Sequence, residues 1–145
     1  MARFAMKLSA PTTMAPDEAA SSFYWLTDEK STFTGGLGPG AAALGSVRSL
    51  NVDFVRLAVA AFAADRSVPR VGGGSNWNQR TLEIEVPVSK PRAWRTVASD
   101  FADVLGFLSG DAWSLSFVKD QPTNDAPKLP ESAVAPSRVV LVSGG

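Results

Sequence analysis

"TLEIEVPV", residues 81–88, sets Leu82, Ile84, Val86 and Val88 against Thr81, Glu83, Glu85 and Pro87, the period-two pattern of a strand with one apolar and one wet face. Pro87 has no N–H for a ladder, which predicts an edge or a strand end. Downstream, Ser89 and Pro91 open a helix in which Trp94, Val97, Ala98, Phe101, Val104, Leu105 and Leu108 recur at i, i+3, i+4, i+7. That spacing predicts a buried stripe ending at Gly110. "AWSLSFV" (112–118) then places Trp113, Leu115 and Phe117 opposite Ser114 and Ser116, a second strand with one wet face.

Upstream, the glycine-rich "VGGGSNWNQR" (71–80) is a connector, and before it "NVDFVRLAVAAFAADRSVPR" (51–70) predicts a helix. Asn51 is its expected N-cap, with Asp53 in the first turn, and Phe54, Val55, Ala58, Ala61 and Phe62 share its expected buried face. Pro69 forbids continuation. Its many alanines let it lie close to a sheet. "STFTGGLGPGAAALGS" (31–46) reads as a loop, "SSFYWLTD" (21–28) as a strand, and "RFAMKLSA" (3–10) as a strand alternating Phe4, Met6 and Leu8 with Arg3, Ala5 and Lys7.

The expected fold is α+β: a small, mainly antiparallel sheet with two helices on one face, a ferredoxin-like relative, spanning residues 1–118. Residues 119–137, with Pro122, Pro127, Pro130 and Pro136 and no apolar period, form a Pro-rich linker.

Fourteen Lys and Arg balance fourteen Asp and Glu, so no overall field draws in nucleic acid or an acidic membrane. Direct nucleic-acid binding and membrane association are not expected. With no Cys and no His in 145 residues, disulfides, thiolate nucleophiles, Cys/His zinc sites and imidazole-based triads are excluded. No apolar run suits a signal peptide or a membrane span, so a cytoplasmic protein is expected.

The final segment, "RVVLVSGG" (138–145), breaks the pattern. "VVLV" does not alternate, which suits a strand covered on both faces in a parallel α/β sheet, and a glycine-containing turn after such a strand cradles phosphate with its backbone N–H groups. This segment resembles the opening of the PP-loop of the ATP-pyrophosphatase superfamily, whose pattern continues Ser-Gly-Gly-x-Asp-Ser. The region before it, through "AAFAADRSVPR" (60–70), "WNQRTLEIEVPV" (77–88), Trp94 and "LGFLSGDAWSLSF" (105–117), resembles the corresponding region of QueC-like proteins of bacterial anti-phage systems of the Qat or type IV CBASS kind. Their catalytic half is similar to 7-cyano-7-deazaguanine synthase.

The resemblance implies that residues 138–145 are the first strand and the start of the PP-loop of an ATP-pyrophosphatase domain otherwise absent. Ser143, Gly144 and Gly145 then map onto the phosphate-holding turn, and ATP is the cofactor expected of a full-length enzyme. The Asp and Ser of the family pattern are missing, so this chain alone is expected to hold no cofactor and to be inactive. A frayed tail is the plain alternative for these three residues.

Asp65, Arg66, Arg70, Trp77 and Arg80 form the candidate recognition cluster. Arg is bidentate toward carboxylate or phosphate, and Trp offers a stacking plane for a modified base. The competing reading is a helix C-terminus at which Arg66 and Arg70 offset the dipole and Asp65 pairs locally. Glu83 and Glu85 read as a solvated strand face, Trp94 and Trp113 as core, and "GGLGPG" and "VGGGSN" lack the strand-to-helix setting of a nucleotide loop. The expected function is recognition of a substrate or of a protein partner encoded in the same defence operon. The alternative is a small protein whose C-terminal Gly-Gly is adenylated or conjugated in a ubiquitin-like manner; the apolar "VVLV" before it argues against that.

Overall fold

A computed structural model describes residues 1–9, 22–26, 31–32, 48–70 and 78–121. The glycine-rich loops at 35–40 and 71–76, Trp77, most of the Pro-rich linker, the "VVLV" strand and Ser143, Gly144 and Gly145 lie outside the described residues.

The elements run β1 (Ala2–Lys7), β2 (Ser22–Tyr24), α1 (Ser49–Ser67), β3 (Thr81–Val88), α2 (Pro91–Thr96), α3 (Ala98–Ser109) and β4 (Ala112–Lys119). The strands form one sheet in the order β2-β1-β3-β4. The predicted mixture of helices and one sheet is present, but the predicted strand direction is wrong. All three pairings are parallel, with Ala5 opposite Ser22, Phe4 opposite Ile84, and Leu82 opposite Trp113. An antiparallel, ferredoxin-like sheet is therefore excluded.

The physical reason lies in the connections. Parallel neighbours need a crossover of a dozen or more residues, whereas antiparallel ones are joined by short hairpin turns. Residues 8–21, 25–80 and 89–111 separate successive strands, so each gap has crossover length. From β2 to β3 to β4 the chain steps across the sheet in one sense, and crossovers of one hand put their helices on one face. That face is lined by Phe4, Met6, Leu82, Ile84, Val86, Val88 and Phe117, which cluster with Leu57, Ala60, Ala61 and Ala64 of α1 and Trp94 of α2. Leu82, Ile84, Val86 and Val88 are at most 1% exposed, each stabilising the fold by about 1.5–3 kcal/mol. The opposite face carries the half-buried Glu83 and Glu85 and the exposed Ser114 and Ser116, with Arg3 pairing with Glu83 at 2.9 Å.

Pro87 sits in an inner strand, not at an edge. The β1–β3 register runs from Ala2–Leu82 to Ala5–Glu85, while the β3–β4 ladder continues through Pro87–Val118 to Val88–Lys119. The proline thus stands beyond the stretch where β1 asks for a donor.

The helix predicted over residues 89–110 divides at Val97, whose φ of −115° and ψ of 9° leave the helical region. Thr96 and Val97 are β-branched, and the Thr96 hydroxyl donates back to the Ala93 carbonyl at 2.7 Å, competing with the helical ladder. α3 ends as predicted at Gly110, in the left-handed conformation (φ 75°), its N–H bonded to the Gly106 carbonyl at 2.8 Å. α1 begins two residues before the expected cap, with Arg48 in the N-cap position, and Asn51 lies inside the first turn.

Candidate functional site

The predicted recognition cluster is drawn together, and it is used to hold the fold. Arg80 precedes β3 with a side chain only 8% exposed, and every donor group of that side chain has an acceptor. Nε and Nη2 reach the Asp111 carboxylate at 3.1 and 2.5 Å, Nη1 donates to the carbonyls of Asp65 and Val68 at 2.7 and 2.6 Å, and Nη2 also binds the Asp65 carboxylate. Arg70 donates to both Asp111 oxygens at 3.0 and 2.8 Å and to the Ser109 carbonyl at 2.6 Å.

Asp111 is thus the centre of the cluster, and it is absent from the sequence-based candidates. Its carboxylate is fully buried and also accepts the Arg80 backbone N–H at 2.9 Å. Burial pushes the Asp111 carboxyl up, but the Arg80 hydrogen bonds and the Arg80 and Arg70 charges outweigh it and hold the group below the usual aspartate range. The Asp111 hydrogen bond raises Arg80 against the opposing effect of burial, with Asp65 adding to the rise. The network ties the end of α1 to the starts of β3 and β4. Arg66 is exposed on the last turn of α1 and takes no part in it. Trp77 lies outside the described residues. The one signal for Asp111 is its place in "SGDAW", directly after the left-handed glycine that ends α3.

A second hub occupies the other end of the sheet. Asp53, read from sequence as a first-turn helix acid, is 0% exposed. Its carboxylate accepts the Ser89 N–H at 2.9 and 3.0 Å, the Ser89 hydroxyl at 2.6 Å and the Trp94 indole N–H at 3.0 Å. Arg56 reaches it at 3.4 Å while donating to Asp120 at 3.0 Å and to the Pro87 carbonyl at 3.4 Å. The hub pins the β3–α2 turn onto α1. Both buried carboxylates are saturated with donors and serve as joints.

What the fold leaves over is apolar. α3 contains no fully buried residue: of its expected core stripe, Ala98, Phe101 and Leu105 are half-buried against the core, while Val104 and Leu108 are exposed. Phe54 and Phe62 of α1, expected on the buried face, are 51% and 65% exposed, and Leu108 and Phe107 of α3 are 73% and 91% exposed. Ala61 is buried as expected, and with Leu57, Ala60 and Ala64 it meets the sheet, which turns Phe54 and Phe62 outward. Between the two helices runs a groove of about 410 Å³, lined on one side by Phe54, Ala58 and Phe62 and on the other by Phe101, Val104 and Leu108, with Trp113 at its base. Asp65 stands at its end and is held by Arg80. The rings of Phe54 and Phe101, 5.9 Å apart, brace its walls.

No helix among the described residues is long and apolar enough to cross a membrane. Among those residues, no three acidic side chains gather as a metal site would require. No family model, no curated protein and no solved structure matches the chain.

Proposed function

We propose that this chain is a protein-recognition domain, the partner-binding N-terminal part of a QueC-like ATP-dependent enzyme of anti-phage defence. It captures an amphipathic helix of a partner protein in the α1–α3 groove. The observation that carries the reading is the groove itself: contiguous large apolar side chains exposed on two neighbouring helices. Such patches on soluble domains mark interaction surfaces. Phe54, Ala58, Ala61 and Phe62 follow i, i+4, i+7, i+8, and Phe101, Val104, Leu105 and Leu108 follow i, i+3, i+4, i+7, so the two rows form ridges between which a third helix seats its own apolar row.

Charge defines the partner further. α3 carries exposed Asp100 and Asp103 and no cation, whereas α1 carries the exposed Arg66, so Lys or Arg suits the flank of the bound helix that faces α3. No step of this recognition uses ATP, whose expected contacts, Ser143, Gly144 and Gly145, lie outside the described residues.

Calorimetric titration of the whole chain with each protein encoded beside its gene, without ATP, tests the reading. One partner binds, and Phe62→Glu or Leu108→Glu weakens it by about tenfold or more, the cost of charging a buried anchor. Circular dichroism of both variants stays unchanged, since these side chains lie outside the core. Absence of binding to every neighbour, or binding indifferent to both substitutions, defeats the reading.

A further inference from the structure

A second surface, at the carboxyl ends of β3 and β4, carries chemistry that the groove does not use. There Lys90, Arg92, Arg95 and Lys119 line an open cleft of about 600 Å³ with Pro91 and Ala93. Four of the fourteen Lys and Arg of an electrically balanced chain thus converge on one spot. Like charges so gathered raise the energy of the folded state unless an opposing charge answers them. Among the described residues two carboxylates stand near, and both are already engaged: Asp120 lies 3.5 Å from Lys119 and is bound by Arg56 at 3.0 Å, and the buried Asp53 is bound by Ser89 and Trp94. Lys90 and Arg92 are exposed, and among the described residues their side chains have no hydrogen-bond or ion-pair partner.

Part of the cleft is anchored. Lys119 Nζ donates to the Ser89 carbonyl at 2.6 Å, and Arg95 Nη2 donates to the Phe117 carbonyl at 3.0 Å, so two of the cations are anchored to the ends of the strands. The turn that carries Lys90 and Arg92 is fastened at Ser89 and Trp94 by the buried Asp53 carboxylate. Anchored donors lose little freedom when an anion arrives.

We propose that this cleft binds a small, phosphate-rich anion. Its volume lies within the range of small-molecule sites, about 300–1,000 Å³. Two guanidinium forks and two ammonium groups approach from different elements, which suits phosphoryl groups with oxygens on several sides better than a planar carboxylate. A compact cleft on a chain of zero net charge favours a small polyanion over a nucleic-acid strand, which needs an extended basic track.

Calorimetry on the whole chain at fixed ionic strength tests this with inorganic tripolyphosphate, citrate, sulfate and a single-stranded DNA 20-mer. Tripolyphosphate is expected to bind one to one, more tightly than citrate or sulfate, and to raise the thermal midpoint beyond what sodium chloride does at equal ionic strength. Arg92→Gln, which removes a guanidinium with no hydrogen-bond or ion-pair partner among the described residues, and Lys119→Gln each weaken binding by roughly tenfold, the worth of one charge-assisted hydrogen bond. Arg3→Gln, at the opposite end of the sheet, leaves it unchanged. The proposal fails if tripolyphosphate gives no heat, if Arg92→Gln binds as well as the parent, if Arg3→Gln loses as much, or if citrate or DNA binds more tightly. None of these outcomes touches the groove, whose partner is read out by Phe62→Glu.

Discussion

Removing the Asp53 carboxylate strands an indole N–H, a backbone N–H and a hydroxyl at once, all at the foot of α1. Asp53→Ala is therefore expected to destabilise the domain by about 3 kcal/mol or more, read from urea unfolding followed by Trp fluorescence. Asp111 makes a complementary prediction about pH. Its folded-state carboxyl is held below the usual aspartate range, so the stability it contributes is complete above the unfolded pKa of about 3.9 and is lost as pH falls through the folded value. The urea midpoint should thus drop as pH is lowered beneath about 4. Asp111→Asn should flatten that acid limb while costing about 3–5 kcal/mol at neutral pH, because Arg80 is left buried and charged. Arg80, raised above an already high value, stays charged throughout and adds no slope there. A variant that keeps the full acid slope would show that other carboxylates govern it.

Gly110 lets α3 stop and β4 start. An added Cβ there meets nothing within 4 Å, so the cost of Gly110→Ala is conformational, about 1–2 kcal/mol for a left-handed residue. Gly110→Asn should recover part of it, and thermal unfolding of the two variants separates strain from crowding. At this scale the sequence was informative. β3, β4, α1 and the end of α3 follow from period and punctuation, because each is set by neighbours a few residues away. Strand direction was not legible, since one wet face usually signals an antiparallel sheet, and here Glu83, Glu85, Ser114 and Ser116 give a parallel one the same alternation. The connection lengths carried the missing information. The clustering of Asp65, Arg70 and Arg80 was visible as proximity along the chain. Asp111, 41 residues from Arg70 and 31 from Arg80, becomes their partner only when β4 docks beside β3. The α1–α3 groove was hidden for the opposite reason: a 3.6-residue apolar period says that a stripe will be covered, not what covers it.

For the molecule as a whole, the α1–α3 face should be separable from stability. Phe107→Ser and Leu108→Ser remove apolar side chains that are 91% and 73% exposed, so unfolding free energies should stay within about 0.5 kcal/mol of the parent while solubility rises. A loss of several kcal/mol would mean that α3 packs more deeply than its exposure indicates. The β1–β3 pairing has a different consequence, in time instead of energy. Phe4 and Met6 are synthesised well before the inner strand that receives them, which begins at Thr81. At roughly 5–20 residues per second, β2 follows soon and covers one edge of β1, but the other edge waits several seconds more before synthesis supplies β3. During that interval the β3-facing edge of β1 lacks its partner, and stalled chains shorter than β3 should leave it open to protease.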